Sequence, residues 1–338
     1  MAATSILAGK KVRKELLWAT AAANLLVLEE LKRLDEVFSR PYPIPVAVLK
    51  GGALAFTLYP DSSLRPVSDL DLLVPKEFLP EALARLKDAG YSPWTEEMAP
   101  GLNLLLGHHF DLRKEGLPFC LELHWTLSLS EHERYPLDMT WFWKRAEPLR
   151  LPFPNHFLTL DPTAHLLYIA AHAVLQHGEA ELDPKWLYDL HLLVEKEGER
   201  IDWEELAKQA AASRWSEAVL RALRRCAELL GTRIPEEAFS LLEEGRDKAI
   251  AKLLEEKAQP RRKGEKAWEK LNSLDWVGKL GLLRGLLLPS PAFVRWRYRP
   301  NPAWTWPLFY PYRWFDILRE GFFLAIRAIK ARIHLGER

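Results

Sequence analysis

The sequence predicts an α+β protein: a small mixed sheet with helices, followed by an all-helical domain and an aromatic-rich C-terminal arm. Three observations predict it. Up to about residue 150, short apolar runs of strand character are separated by helix-like runs. Beyond Pro148 to Pro154, apolar residues recur at spacings of three and four. From Phe293 to Phe323, aromatic residues crowd together with arginine and proline. The expected divisions are 1–150 for the α/β domain with its leading helix, 151–258 for the helical domain, and 259–338 for a connector and the aromatic arm.

The first element is a helix over 11–38. The basic stretch Lys10-Lys11-Val12-Arg13-Lys14 before the apolar run Leu16 to Leu28 imitates a secretory signal. The run continues unbroken into Glu29-Glu30-Leu31-Lys32-Arg33-Leu34 with helical spacing, so a packed amphipathic helix is expected instead. Nowhere do ~18 or more apolar residues follow one another, and no transmembrane helix is predicted. Pro41-Tyr42-Pro43-Ile44-Pro45 ends the helix and feeds a strand at Val46-Ala47-Val48-Leu49. Gly51-Gly52 then opens a short helix, and Asp69 to Val74 forms the next strand. Lys76 to Ala89 is helical, with Phe78, Leu79, Ala82, Leu83 and Leu86 on one side and Gly90 as its stop. Strands near 103–112 and 118–125 complete the sheet. Five helices follow: Thr163 to His177, Pro184 to Lys196, Trp203 to Ser213, Trp215 to Leu230 and Pro235 to Glu256. They are expected to pack over the open face of the sheet and close a cleft. The charged stretch Gln259 to Lys266 reads as an exposed connector.

A chain of 338 residues with 48% hydrophobic content can bury a large core in two domains. Its net charge of +1 argues against a strongly basic nucleic-acid binder. Cys120 and Cys226 lie far apart without metal-ligand spacing, and they read as reduced core residues of a cytoplasmic protein.

The chemistry concentrates in Leu49-Lys50-Gly51-Gly52 and Arg65-Pro66-Val67-Ser68-Asp69-Leu70-Asp71. Side chains alternate along a strand, so Asp69 and Asp71 point to the same face. At about 3.3 Å per residue their backbones stand roughly 6.6 Å apart, from which two carboxylates can share a divalent cation and reach toward a second. A glycine pair after a strand lets main-chain amides approach phosphate, at the positive end of the following helix. Lys50 and Arg65 flank these features as phosphate contacts, Arg65 with bidentate donors and Lys50 as a point charge. Ser68 either caps the turn or contacts phosphate, and Asp61 forms a turn. A third carboxylate is expected from a later strand. In Phe119 to Trp125, alternation places Cys120, Glu122 and His124 on one face. An acid framed by leucines in a buried-looking strand calls for a partner, and Glu122 is favoured over its rival Asp111, which lies beside the polar turn Arg113-Lys114-Glu115-Gly116 and reads as solvated.

Taken together, these residues resemble the nucleotidyltransferase superfold of DNA polymerase beta, with its glycine pair, D-x-D and single later carboxylate. More narrowly, the chain is similar to a bacterial family of uncharacterised nucleotidyltransferases. The matching residues are Lys50-Gly51-Gly52, Tyr59 with Asp61, Arg65, Asp69-Leu70-Asp71, Glu122 to Trp125, His172, His177 and Asp189-Leu190, in a match from about residue 15 to residue 300. Abortive-infection toxins of the nucleotidyltransferase type share only the Lys-Gly-Gly and R-x-x-S-D-x-D parts.

The resemblance implies an ATP- or other NTP-dependent transferase using two Mg²⁺ ions, with Mn²⁺ as a substitute. Asp69 and Asp71 would bind both metals and the triphosphate, while Glu122 would complete the acceptor-side metal and take the proton of an acceptor hydroxyl. The acceptor stays open among a small molecule, a sugar, a peptide and an RNA end. The competing readings are a nucleotide-binding regulatory protein without turnover and an interaction protein using the aromatic arm.

His165 and His172 lie two turns apart on one helical face, and His177 follows; no H-E-x-x-H zinc pattern is present. They read either as satisfied core histidines or, through the resemblance, as nucleotide or acceptor contacts. His124 is expected to contact a phosphate or orient Glu122. Asp189 is expected either to hold a histidine in one tautomer or to face solvent. For the arm, three readings stand: a cover packed over the core, a dimer or partner surface, and membrane-surface attachment through Phe322 to Lys330.

Overall fold

The computed structural model describes residues 14–127, 137–178, 182–257 and 276–319. The expected connector at 259–266, the tail helix at 322–330 and the first residues of the leading helix lie outside the described residues. The chain divides into two compact units, one of residues 1–92 and 109–259, the other of 93–108 and 260–338.

The first unit opens with helix α1 (Lys14–Ser39), which turns Val27, Leu31, Leu34 and Phe38 inward at helical spacing. Strand β1 (Ala47–Val48) leads directly into helix α2 (Lys50–Thr57), and a 3₁₀ turn at Ser62–Leu64, capped by the Asp61 carboxylate, precedes strand β2 (Asp69–Leu73). Helix α3 (Leu79–Asp88) follows a 3₁₀ turn at Lys76–Phe78 and gives way to Gly90 in the left-handed region, φ +93°. Strand β3 (Ser92–Pro93) comes next, then helix α4 (Leu102–Leu106), which belongs to the second unit, then strands β4 (His109–Arg113) and β5 (Cys120–His124). The strand expected at 103–112 is therefore half helix. An unbroken Leu-rich run carries no period of its own, and Gly101 at φ +78° starts a helical turn there.

Helix α5 (Met139–Lys144), capped by Asp138, and strands β6 (Ala146–Pro148) and β7 (Leu158–Leu160) complete the sheet. Its order is β3-β4-β5-β2-β1-β7-β6. The pairs β2/β5 and β1/β7 run parallel, while β1/β2, β4/β5 and β6/β7 run antiparallel. The mixed α+β architecture agrees with the sequence.

Helices α6 (Pro162–Leu175), α7 (Pro184–Glu197), α8 (Trp203–Ala212) and α9 (Ser216–Leu230) pack as a helical layer. Every residue of α6 is buried, as expected for a helix apolar all round, and Asp161 with Pro162 fixes its start. The single helix expected over 235–256 is two, α10 (Glu236–Glu244) and α11 (Lys248–Lys257). A Cβ on Gly245 would come within 2.7 Å of Ser216 Oγ and 2.9 Å of Ala211 Cβ, so the chain must pass close to α8 and α9 there. Asp247 then accepts from the Ala249 and Ile250 amides and restarts the helix. Among the described residues of the second unit are helices α12 (Trp276–Leu287) and α13 (Pro291–Tyr298), followed by a 3₁₀ segment at Ala303–Leu308.

Glu217 on α9 is buried and receives Arg221 Nε at 2.7 Å and Arg246 Nε at 2.5 Å. Burial disfavours its charge, but the two arginines outweigh burial and hold its carboxyl below the usual range. A depressed native pKa contributes stability above the unfolded value of about 4.3 and loses it as pH falls through the native value. Glu217→Gln is therefore expected to lower Tm at pH 7, and the gap to wild type should narrow in thermal melts below about pH 4.

Candidate active site

Parallel pairing of β2 with β5 sets Asp69 beside Cys120, Asp71 beside Glu122 and Leu73 beside His124. Antiparallel pairing of β5 with β4 adds Asp111 beyond Glu122 and His109 beyond His124. Three carboxylates thus form one row across three strands. Exposure rises along it, from 1% for the Asp71 side chain to 21% for Glu122 and 44% for Asp111, so the row runs from core to solvent. Both rivals for the third carboxylate lie in this row, and Glu122 is the one adjacent to Asp71. Asp111 is paired with His109 at 3.3 Å.

Asp71 carries the strongest contacts. Lys50 Nζ donates to its Oδ1 at 2.7 Å, and His124 Nε2 lies 3.0 Å from the same atom and 3.2 Å from Glu122 Oε2. Burial opposes the Asp71 charge, yet Lys50 and His124 together hold its carboxyl well below the usual carboxylate range. Burial likewise opposes charge on Lys50 and His124, and in each the facing carboxylates win and raise the pKa. Lys50 Nζ also stands 5.8 Å from the centre of the Tyr168 ring.

Lys50 is held by its backbone as well. Its φ of 45° lies in the left-handed region, a conformation that costs a non-glycine residue about 1–3 kcal/mol and needs support around it. His165 on α6 supplies that support by accepting from the Lys50 amide through Nε2 at 3.1 Å. Burial pushes the His165 pKa down to about 4, which keeps the imidazole neutral and able to accept.

The glycine pair has a steric reason. A Cβ on Gly51 would lie 2.9 Å from Arg65 Nη1, and one on Gly52 would lie 2.8 Å from Leu70 Cδ1 and 3.0 Å from Val48 Cγ1. The first admits the Arg65 guanidinium against α2, and the second seats α2 on β1 and β2. Arg65 is buried, donating from Nε and Nη2 to Asp189 at 2.8 and 2.7 Å and from Nη1 to the Pro66 carbonyl at 2.6 Å. Tyr59 Oη donates to Asp189 Oδ1 at 2.7 Å. Asp189 is thus fully buried on α7 and serves Arg65 and Tyr59, neither a histidine nor solvent. Ser68 Oγ donates to Asp69 Oδ1 at 2.7 Å.

Asn24 was not singled out by sequence reasoning. Wholly buried on α1, it donates to the Ser62 and Arg65 carbonyls at 2.7 and 2.9 Å and accepts from Val67 N at 3.3 Å, fixing the loop that enters β2. Its only sequence signal is an amide on the apolar face of a helix. His172 is buried with its ring 5.3 Å from Trp186 and 5.0 Å from His177; its Nδ1 has no hydrogen-bond partner among the described residues.

Two sets of ligand atoms lie within 4.8 Å of one another in this unit: Asp71, Glu122 and His124, and His109, Asp111 and Glu122. Glu122 belongs to both, and Asp69 to neither. Each set offers two carboxylates and one imidazole; the carboxylates suit a hard divalent cation, whereas the imidazole suits borderline metals of the Zn²⁺ or Fe²⁺ kind.

Removing one partner of a buried pair strands the other charge, at a cost of about 3–5 kcal/mol. Asp189→Ala should lose stability in that range in urea titrations, and Asp189→Asn less, because the amide oxygen still accepts from Arg65. Gly52→Ala should cost about 1–3 kcal/mol by overpacking in the same measurement.

The family model described as uncharacterised nucleotidyltransferase matches residues 9–231, a span that contains every residue of this site. None of the curated proteins and none of the solved structures matches the chain. With its family region covering the sheet, the carboxylate row and the helix that bears Asp189, the chain belongs to the uncharacterised nucleotidyltransferase family.

Proposed function

We propose that this protein transfers a nucleoside monophosphate from an NTP to an acceptor hydroxyl and releases pyrophosphate, with Mg²⁺ as the metal. The observation that carries the reading is the side-by-side placement of Asp71 and Glu122 on parallel strands, with Asp69 on the same strand face as Asp71. Asp71 and Glu122, with His124 in the same ligand set, would hold the metal; Asp69, on the same strand face but outside both sets, would reach the bound ion from its side, and Asp111 and His109 extend the row outward. When bound, two such ions stabilise the charge on the attacking and leaving oxygens of an in-line displacement.

The protein's own groups do the rest. The acceptor oxygen attacks the α-phosphorus, a new phosphorus–oxygen bond forms, and the bond to the β-phosphate oxygen breaks. Glu122 takes the proton of the hydroxyl, oriented by His124 Nε2 at 3.2 Å. Lys50, paired with Asp71 at 2.7 Å, would offer its ammonium to a triphosphate oxygen if a cation took its place at that carboxylate. Gly51 and Gly52 lie in the first turn of α2, whose amides lack intrahelical partners and favour an anion. Ser68 holds Asp69 in place. Arg65 acts through its bond to Asp189, keeping the loop before β2 against α2.

Asp71→Asn or Asp69→Asn should reduce transfer by about 10²–10³-fold or more, with the fold retained by circular dichroism. Calorimetry of the four NTPs with and without Mg²⁺, on wild type and on the double Asp69→Asn/Asp71→Asn variant, should show metal-dependent binding of one NTP that the variant loses. Binding without pyrophosphate release in the presence of any acceptor would instead make the protein a nucleotide sensor.

A further inference from the structure

The family match ends at residue 231, and the described part of the second unit from 276 onward lies wholly beyond it. Between residues 276 and 319 the chain carries seven Lys and Arg against one acidic residue, Asp316, in a protein whose whole net charge is +1. Five of its fourteen tryptophans fall in the same stretch.

Helix α12 is packed inside out. Its small-residue side meets α4: a Cβ on Gly285 would touch Leu102, Met98 and Ala99 at 3.2–3.5 Å, and one on Gly281 would reach Leu105 at 3.9 Å. Its large apolar side chains, Trp276, Leu280, Leu283 and Leu287, recur at spacings of four, three and four and are exposed, Trp276 by 72%. A helix of a water-soluble domain normally turns that stripe inward. Trp304, 75% exposed, with Leu308, Phe315 and Leu318, adds further exposed apolar side chains in the 3₁₀ segment and beyond it. Lys279, Arg284, Arg295, Arg297 and Arg299 are exposed alongside. An ordered stripe of exposed large apolar side chains, unlike singly scattered ones, marks an interaction site.

We propose that the second unit docks on an anionic lipid bilayer, with the α12 stripe lying in the plane of the interface. Charge complementarity selects the occupant. Apolar and indole side chains enter the boundary between headgroups and acyl chains, while guanidinium groups meet lipid phosphates. Helix α12 alone is too short to cross, its 12 residues reaching about 18 Å against a hydrocarbon core of about 30 Å. With α13 it has the length and apolar composition of a span, but the pair bends by 53° and α13 carries Arg295 and Arg297, which favours the interface. No single helix among the described residues is long and apolar enough to cross a membrane. The inference does not depend on nucleotide transfer.

Co-sedimentation of the full-length protein with phosphatidylcholine vesicles containing or lacking phosphatidylglycerol tests it. Binding should be at least about tenfold tighter to the anionic vesicles and weaken as salt rises. Leu280→Asp/Leu283→Asp should cut it by about tenfold or more; both side chains are exposed in the wild type. Bromine-labelled acyl chains should quench tryptophan fluorescence of the unmutated protein. Absence of sedimentation with anionic vesicles, absence of quenching, or binding indifferent to the double variant would overturn the proposal. So would a stable dimer in lipid-free solution that the double variant dissociates, since a second copy would then cover the stripe.

Discussion

The burial of Asp71 is the constraint from which the site is built. A carboxylate removed from water to this degree costs several kcal/mol unless other groups restore what water supplied. Lys50 and His124 restore it, and each requirement propagates. Bringing Lys50 Nζ to Asp71 coincides with a left-handed Lys50 backbone, which needs His165 on its amide. His165 must remain neutral to accept, and burial in α6 keeps it so. The total burial of that helix, which would otherwise read as plain core, is thus part of the electrostatics of a strand well removed in sequence. Such an arrangement contributes little net stability by itself.

A second buried pair, Arg65 with Asp189, does different work. Its guanidinium is committed on three sides, to Asp189, to the Pro66 carbonyl and to the space left by Gly51. Together with Asn24 it immobilises the loop that delivers Asp69 and Asp71. Holding a carboxylate to within a fraction of an ångström needs supporting residues locked in this way.

Some of this was legible in the sequence. Strand β2 announced itself because apolar and acidic residues alternate from Asp69 to Leu73, and the shared face of Cys120, Glu122 and His124 followed from the same period. Helices α6 to α9 were legible from apolar spacings of three and four, and the structure adds an aspartate N-cap to α6, α7 and α8. Other features were not. The leucine run at 102–106 has no period to distinguish helix from strand, and Gly245 interrupts a helix for a packing reason that lies on α8 and α9. Arg65 read as a phosphate ligand because its partner, Asp189, lies 124 residues away; separations of 130, 41 and 115 residues likewise hid the Tyr59–Asp189 bond, the bond of Asn24 to the Arg65 carbonyl and the service His165 performs for Lys50. Local pattern reports periodicity and turn chemistry, whereas buried polar pairs are decided by which distant elements meet.

The Arg65–Asp189 pair also bears on how this protein can be divided. A fragment ending near residue 150 would contain the whole carboxylate row, and by motif it would look like a complete catalytic piece. It would nonetheless keep Arg65 with no acid to meet it, Tyr59 with no acceptor, and Lys50 without the imidazole that supports its backbone. The carboxylate half and the helical half are therefore joined as one inheritance: neither can be exchanged for a foreign partner unless the newcomer brings an acid and an imidazole to the same two places.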